Sequence, residues 1–230
     1  MEDGFFINDN FLADGGKSIL FAVMDGHGGK DVVEYVKQNF SRVDQLLKQN
    51  CRSQDIGSTA CIGFIRLEEA KRVLYISNVG DTSAVLIGEN SAQMITVEHK
   101  ASNPREIDRI KFFFQINNLI LIIFKQRKSG GNVIYDRVAG VLAVSRAFGD
   151  HGLSNFGVIC LPDCNRIELR IIHKYLVLAS DGLWDVVQPK EVLEVSKIKS
   201  NCEEIAAELI KRALNNGSRD NITIMVLKLN

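Results

Sequence analysis

The sequence predicts an α+β fold in which antiparallel sheets are covered by helices. Three observations carry that expectation. Short runs rich in Val, Ile and Phe, bounded by Gly, Asp or Asn, recur along the chain as strands do. These runs group as hairpins with paired helical patterns after them, not as a strict βαβ alternation. Finally, 230 residues with Pro at only three positions contain no linker, repeat or low-complexity tail. That fits a single domain over 1–230, long enough to bury a real core.

Strands are expected at 4–8, 19–25, 59–67, 73–79, 83–88, 93–97, 141–146, 158–159 with 166–169, 175–180 and 222–227. In "VLYISNV", Leu74 and Ile76 share one side, as the two-residue period of a strand demands. Helical spacing joins Val32, Val33, Val36, Phe40 and Val43, with Leu46 and Leu47 continuing the stripe. A short helix should begin near Ser102-Asn103, where Pro104 takes a favourable first position. Val192, Leu193 and Val195 follow Pro189. The clearest amphipathic helix carries Cys202, Ile205, Ala206, Leu209, Ile210 and Ala213, and Asn216-Gly217 closes it.

Composition removes several classes. Lys plus Arg equals Asp plus Glu at 28 each, so the formal charge is zero and the basic excess of a nucleic-acid or anionic-membrane binder is missing. The most apolar stretch, "FFFQINNLILIIF", is shorter than the ~20 residues of a spanning helix and is broken by Gln115, Asn117 and Asn118. Cys51, Cys61, Cys160, Cys164 and Cys202 are odd in number and form no Cys-x-x-Cys pair. With no secretory leader, reduced thiols and a cytoplasmic or nuclear protein are expected.

Acidic residues gather at strand ends. "FAVMDGHGG" ends a strand at Asp25, "LYISNVGD" ends one at Asp81, and "LVLASDGLWD" ends another at Asp181, with Asp185 a turn later. "SRDNITIMVL" and "MEDGFFI" set Asp220, Glu2 and Asp3 just before strands. Each acid alone reads as a turn or cap residue. Together, at one rim of a sandwich, they would repel unless cations sat among them. Oxygen ligands without a Cys or His pair favour Mg²⁺ or Mn²⁺ over Zn²⁺. Glycine beside Asp25 would let the Gly26 carbonyl approach an ion.

The ordered series "MED", "FAVMDGHGG", "GSTA", "NVGDTSAVL", "HKASNPREIDRI", "RVAGVLAVSRAFGD", "ASDGLWDVV" and "GSRDNITIMVL" resembles the metal-dependent serine/threonine protein phosphatases of type 2C over nearly the whole chain. The resemblance implies a four-layer α-β-β-α sandwich of two antiparallel sheets flanked by helix pairs. It also implies two Mn²⁺ or Mg²⁺ ions bridged by Asp25. Gly26 would offer its carbonyl to one ion, and Glu2, Asp181 and Asp220 would hold the other. Asp3 would sit nearby, through water, and Asp81 and Asp185, with Asp181, match a weaker third position. His27 matches the general acid for the leaving alkoxide, a role worth roughly 10²–10⁴-fold. His99, His151 and His173 receive no chemical role. Asn221 is expected to brace the backbone beside Asp220, and Trp184 to sit in the core. Phosphoproteins are the implied partners of a monomer, with no nucleic-acid or membrane partner.

The sequence departs from the family pattern in three places. The family's phosphate-binding arginine lies on a strand upstream of Met-Glu-Asp, so the resemblance predicts a missing N-terminal strand and weakened activity. A non-catalytic member that binds partners is therefore the rival reading. Residues 30–56 have room for one good helix where the family has two. The segment 111–129 is long for the family; it reads as a retained short intron or gene-model error, or as an added strand or partner-binding flap. Three phosphate motifs are decoys: Cys160 to Arg166 carries Pro162 and Asp163 inside its loop, Gly16-Lys17-Ser18 lacks the first P-loop glycine, and Gly26-x-Gly28 lacks a third.

Overall fold

Alternating apolar side chains along the strands set the architecture of the computed structural model. It describes residues 3–8, 18–27, 47, 54–123 and 133–230, with His27 and residues 116–123 described by backbone alone. The main strands are β1 (Gly4–Asn8), β2 (Ser18–Met24), β3 (Ala60–Glu68), β4 (Lys71–Val79), β5 (Ser83–Gly88), β6 (Ala92–Met94), β7 (Asp163–Glu168), β8 (His173–Ala179) and β9 (Ile224–Lys228). A five-stranded sheet has the order β1-β2-β3-β4-β7 and a four-stranded sheet the order β9-β8-β5-β6. Every pair within them is antiparallel.

The two sheets pack face to face. Phe21, Val23, Leu74 and Ile76 of one meet Ala84, Leu86, Leu176 and Leu178 of the other. Burying each of the larger side chains is worth about 1.5–3 kcal/mol. Residues 20–24 are buried without alternation because both faces of β2 are covered: Phe21 and Val23 face the second sheet, while Met24 packs with Leu47 and Ala60 on the other side.

The helices described are α1 (Pro104–Ile123), α2 (Asp181–Trp184), α3 (Pro189–Ile198) and α4 (Cys202–Asn215). The last three cover the outer face of the four-stranded sheet, setting Leu183, Trp184, Val192, Val195, Ile205 and Leu209 against Val85, Ile87 and Val177. Local sequence fixes their starts. The Gln188 N–H donates to the Glu191 carboxylate at 2.8 Å with Pro189 at the first position, and Asn201 Oδ1 accepts from the Glu203 N–H at 2.9 Å.

Two expectations shift. The helix beginning at Pro104 is not short but runs for 20 residues, into the apolar segment read as a retained intron or gene-model error, or as an added strand or flap. No Gly or Pro interrupts 105–129, and Ile110 and Phe114 bury against Val138, Val144, Ala147 and Val158. Residues 141–146 form no strand. Their strand-type pairings among the described residues are the single bridges Lys100↔Val144, Val138↔Leu142 and Arg146↔Ile159, so no continuous ladder forms. The helical stripe over 32–47 lies outside the described residues except for Leu47. No described helix is long and apolar enough to cross a membrane.

Candidate functional site

Strand register brings the acids to one rim. Gly4 lies opposite Met24, so Asp3 and Asp25 leave β1 and β2 at the same end. Ala60 pairs with Val79, which carries Asp81, two residues past β4, to that end as well. In the second sheet Ala179 pairs with both Ser83 and Ile224, and Asp181 and Asp220 lie just beyond. One oxygen from each of Asp25, Asp81 and Asp181 lies within 4.8 Å of the others. Asp3, Gly26 and Asp220 line the same cavity, of about 590 Å³.

The remaining expected site residues fall elsewhere. Asp185 is exposed and does not line this cavity; its carboxylate pairs with Lys100, whose ammonium also lies 3.5 Å from Glu98. Glu2 lies outside the described residues, as does the side chain of His27. The His27 backbone follows Gly26 in a two-residue strand paired with Gly57–Ser58.

Small residues let these loops approach. A Cβ on Gly182 would stand 2.1 Å from the Asn221 carbonyl oxygen, so glycine alone lets the first turn of α2 rest on the segment leading to β9. Ser180 ties three loops together: its hydroxyl donates to Asp3 Oδ2 at 3.0 Å and accepts the Thr223 N–H at 3.1 Å. The Asp25 carbonyl accepts the Thr59 N–H at 2.8 Å and the Ser58 hydroxyl at 3.1 Å. Asn221 donates its N–H to Asp220 Oδ1 at 2.7 Å, a bracing contact. Trp184 is buried and donates Nε1–H to the Ala179 carbonyl at 2.8 Å.

The electrostatics are those of a cluster short of positive charge. Burial, then Asp181, Asp3 and Asp81, hold the Asp25 carboxyl well above the usual carboxylate range. Burial and Asp181 push Asp81 up to about 7 against the pull of Lys100. Asp181 is raised by burial, Asp185 and Asp220, so Asp25 and Asp181 share protons when no cation is near. Asp181 Oδ1 is buried and accepts no hydrogen bond among the described residues. An unsatisfied buried acceptor among converging hard oxygens fits a divalent cation.

A second buried polar cluster escaped the sequence reading. Glu106, fully buried, accepts from Arg146 at 2.6 and 3.1 Å, from Arg109 at 2.8 Å and from the Ser145 hydroxyl at 2.7 Å. Burial alone would raise this carboxyl, but Arg146, Ser145 and Arg109 bring it down to about 2. Arg146 also reaches Asp163 at 3.2 Å and the Leu161 carbonyl at 2.8 Å. One signal was available: an arginine inside the apolar run "VLAVSRAF" needs a buried partner. The segment from Cys160 to Arg166 is no anion loop. From Asp163 on it is strand β7, and exposed Arg166 donates to Glu68 and lies 5.8 Å from the Tyr75 ring centre.

The fold and this rim define a class: a β-sandwich with a carboxylate-lined centre between strand ends. The family model for protein phosphatase 2C matches residues 36–112 and 125–222. "Probable protein phosphatase 2C 28" of Arabidopsis thaliana is 32% identical over 250 residues, covering 99% of this chain and 68% of that protein. "Probable protein phosphatase 2C 59" of the same plant is 34% identical over 236 residues, covering 91% of this chain and 69% of that protein. A phosphatase structure from a pathogenic strain of Toxoplasma gondii superposes with a TM-score of 0.76 at 21% identity, covering 100% of this chain and 90% of that one. The chain belongs to the protein phosphatase 2C family, whose members are metal-dependent hydrolases.

Proposed function

We propose that this chain removes phosphate from phosphoserine and phosphothreonine side chains of proteins at a centre holding two Mn²⁺ or Mg²⁺ ions. The observation that carries this reading is the approach of Asp25, Asp81 and Asp181 oxygens to within 4.8 Å, with no cation among them from the described residues. Asp25 would bridge the ions, with Gly26, Glu2, Asp181 and Asp220 completing their shells. Asp3 would serve through water, and Asp81 with Asp181 would serve a weaker third position, which Asp185 would join only on leaving its ion pair with Lys100. Bound, such ions supply positive charge against the phosphoryl oxygens and bring the pKa of water down towards neutrality. His27 would give the departing serine or threonine oxygen its proton. Among the described lining residues Arg137 is the one cation, and its guanidinium is suited to the remaining phosphate oxygens.

The deciding experiment is hydrolysis of a phosphopeptide with Mn²⁺, comparing the chain with Asp181→Asn and following Mn²⁺-dependent thermal stabilisation of both. Turnover by the chain that vanishes in the variant is expected. Full activity of Asp181→Asn would defeat the metal mechanism, and a chain that binds Mn²⁺ without turnover would favour a regulatory, phosphoprotein-binding role. We also read residues 1–230 as one such domain carrying an addition near 111–129. The family match stops at 112 and resumes at 125, which supports that reading. Sequencing the mature transcript across this junction distinguishes a retained intron from a true insertion.

A further inference from the structure

Asp81 stands on a turn whose backbone is held by one residue far along the chain. Gly80, at φ +88°, precedes it directly. The Gly80 N–H donates to His99 Nδ1 at 3.1 Å, and the Gly80 carbonyl accepts the His99 N–H at 2.9 Å. A single buried histidine thus satisfies both polar groups of the glycine, one with its ring and one with its backbone. A Cβ at Gly80 would meet Thr59 Cγ2 at 2.4 Å, so the turn is also wedged from the other side.

His99 is in turn anchored. Its carbonyl accepts the Ser145 N–H at 2.8 Å, and the Ser145 hydroxyl reaches both that carbonyl, at 3.0 Å, and Glu106 Oε2, at 2.7 Å. Contacts therefore run without a break from the Glu106–Arg146 pair to the turn that presents Asp81. With Nδ1 accepting, the neutral ring carries its proton on Nε2, which among the described residues faces Asp163 Oδ2 at 3.5 Å, a long contact. Neither nitrogen faces the acidic cavity. The ring is therefore not placed to ligate an ion or to move a proton there.

We propose that His99 is a positioning residue: its imidazole fixes the Gly80 turn so that the Asp81 carboxylate is aimed at Asp25 and Asp181. The proposal rests on the metal reading of that cluster. What the site needs from position 99 is a hydrogen-bond acceptor where Nδ1 stands. Asn offers Oδ1 at the same distance along the side chain, Gln sets its oxygen one carbon too far, and Phe fills the space with no acceptor. Phe leaves the Gly80 N–H buried and unpaired, and the turn will shift to find a partner.

The test uses Mn²⁺ alone as the probe, titrated calorimetrically into the metal-free full chain and its variants without substrate. Near-ultraviolet circular dichroism checks that each is folded. His99→Phe should weaken Mn²⁺ binding about tenfold, which corresponds to ~1.4 kcal/mol, while His99→Asn should stay within about threefold of the parent. A histidine that merely stabilised the fold would lower the melting temperature of both variants and leave their Mn²⁺ affinity alone. Should His99→Phe fail to fold, His99→Gln takes its place and should bind several-fold more weakly than His99→Asn. Equal Mn²⁺ affinity in the folded parent and His99→Phe, or equal loss in Asn, Gln and Phe, overturns the proposal. A parent chain that binds no Mn²⁺ overturns the metal reading itself and this inference with it, so the two failures are told apart by the parent titration.

Discussion

Two buried acidic clusters sit in this molecule, and they are opposites. Around Glu106 the chain supplies its own cations: Arg146 and Arg109 grip the carboxylate, and Arg146 and Arg105 reach Asp163. Around Asp25, Asp81 and Asp181 the nearest ammonium among the described residues, Lys100, pairs with Asp185 and Glu98, beside the trio and not within it. Glu106 is accordingly drawn down to about 2, while Asp81 is pushed up to about 7. Both clusters are desolvated; only one is neutralised from within. The completed network holds α1 to the 145–163 segment, and the incomplete one is where an outside cation lowers the energy most.

The sharpest way to break the contrast is to remove a charge from each cluster. Asp181→Asn should lower kcat/KM on a phosphopeptide by roughly 10²–10³-fold, the scale of losing one charge-stabilising group at a reacting centre. The same change should make the metal-free chain more stable, because it relieves repulsion. A rise of roughly 2–4 °C in Tm, the response of a domain of this size to ~1 kcal/mol, is expected by calorimetry. Glu106→Gln should do the reverse, since it leaves Arg146 buried without its main counter-charge. Urea unfolding should show a loss of about 3–5 kcal/mol.

The pH dependence sharpens the comparison. Asp81 has a folded pKa above its ordinary value, so the folded metal-free chain binds more protons than the unfolded chain between about pH 4 and 7. Stability therefore falls as pH rises through that window, and Asp25 and Asp181 act in the same direction. Glu106 has a depressed folded pKa. Its stabilisation is present above about pH 4.5 and disappears as pH falls towards about 2. Denaturant titrations should place the metal-free maximum near about pH 4–5, and saturating Mn²⁺ should flatten the decline above it. The smallest effect is expected at the exposed edge of the arginine network: Arg105→Ala should cost less than about 1 kcal/mol by urea unfolding.

How much of this was legible follows from what each cluster looks like in one dimension. An apolar run that ends abruptly on an Asp beside Gly is visible as such, which is why Asp25, Asp81 and Asp181 stand out before any fold is known. Glu106 lies in "PREIDRI", whose alternating charges read as a solvated helix face. Its burial arises only because residues from Ser145 to Asp163 fold over that face. Residues 141–146 misled for a related reason: their Val and Leu content suits a strand, but their partners are single residues from three places. The start of α1 was readable from Asn103 and Pro104; its end was not, because no stop signal follows for 25 residues and packing at Ile110 and Phe114 carries the helix onward.

By itself the sequence determined most of the strands, the helix starts and the acids at strand ends, since these depend on side-chain period, capping chemistry and turn residues that act over a few positions. Tertiary structure alone decided which carboxylates meet cations of the same chain and which do not. Pairing of that kind depends on distances between residues as far apart as Asp25 and Asp181, or Glu106 and Arg146, and on the water excluded from between them.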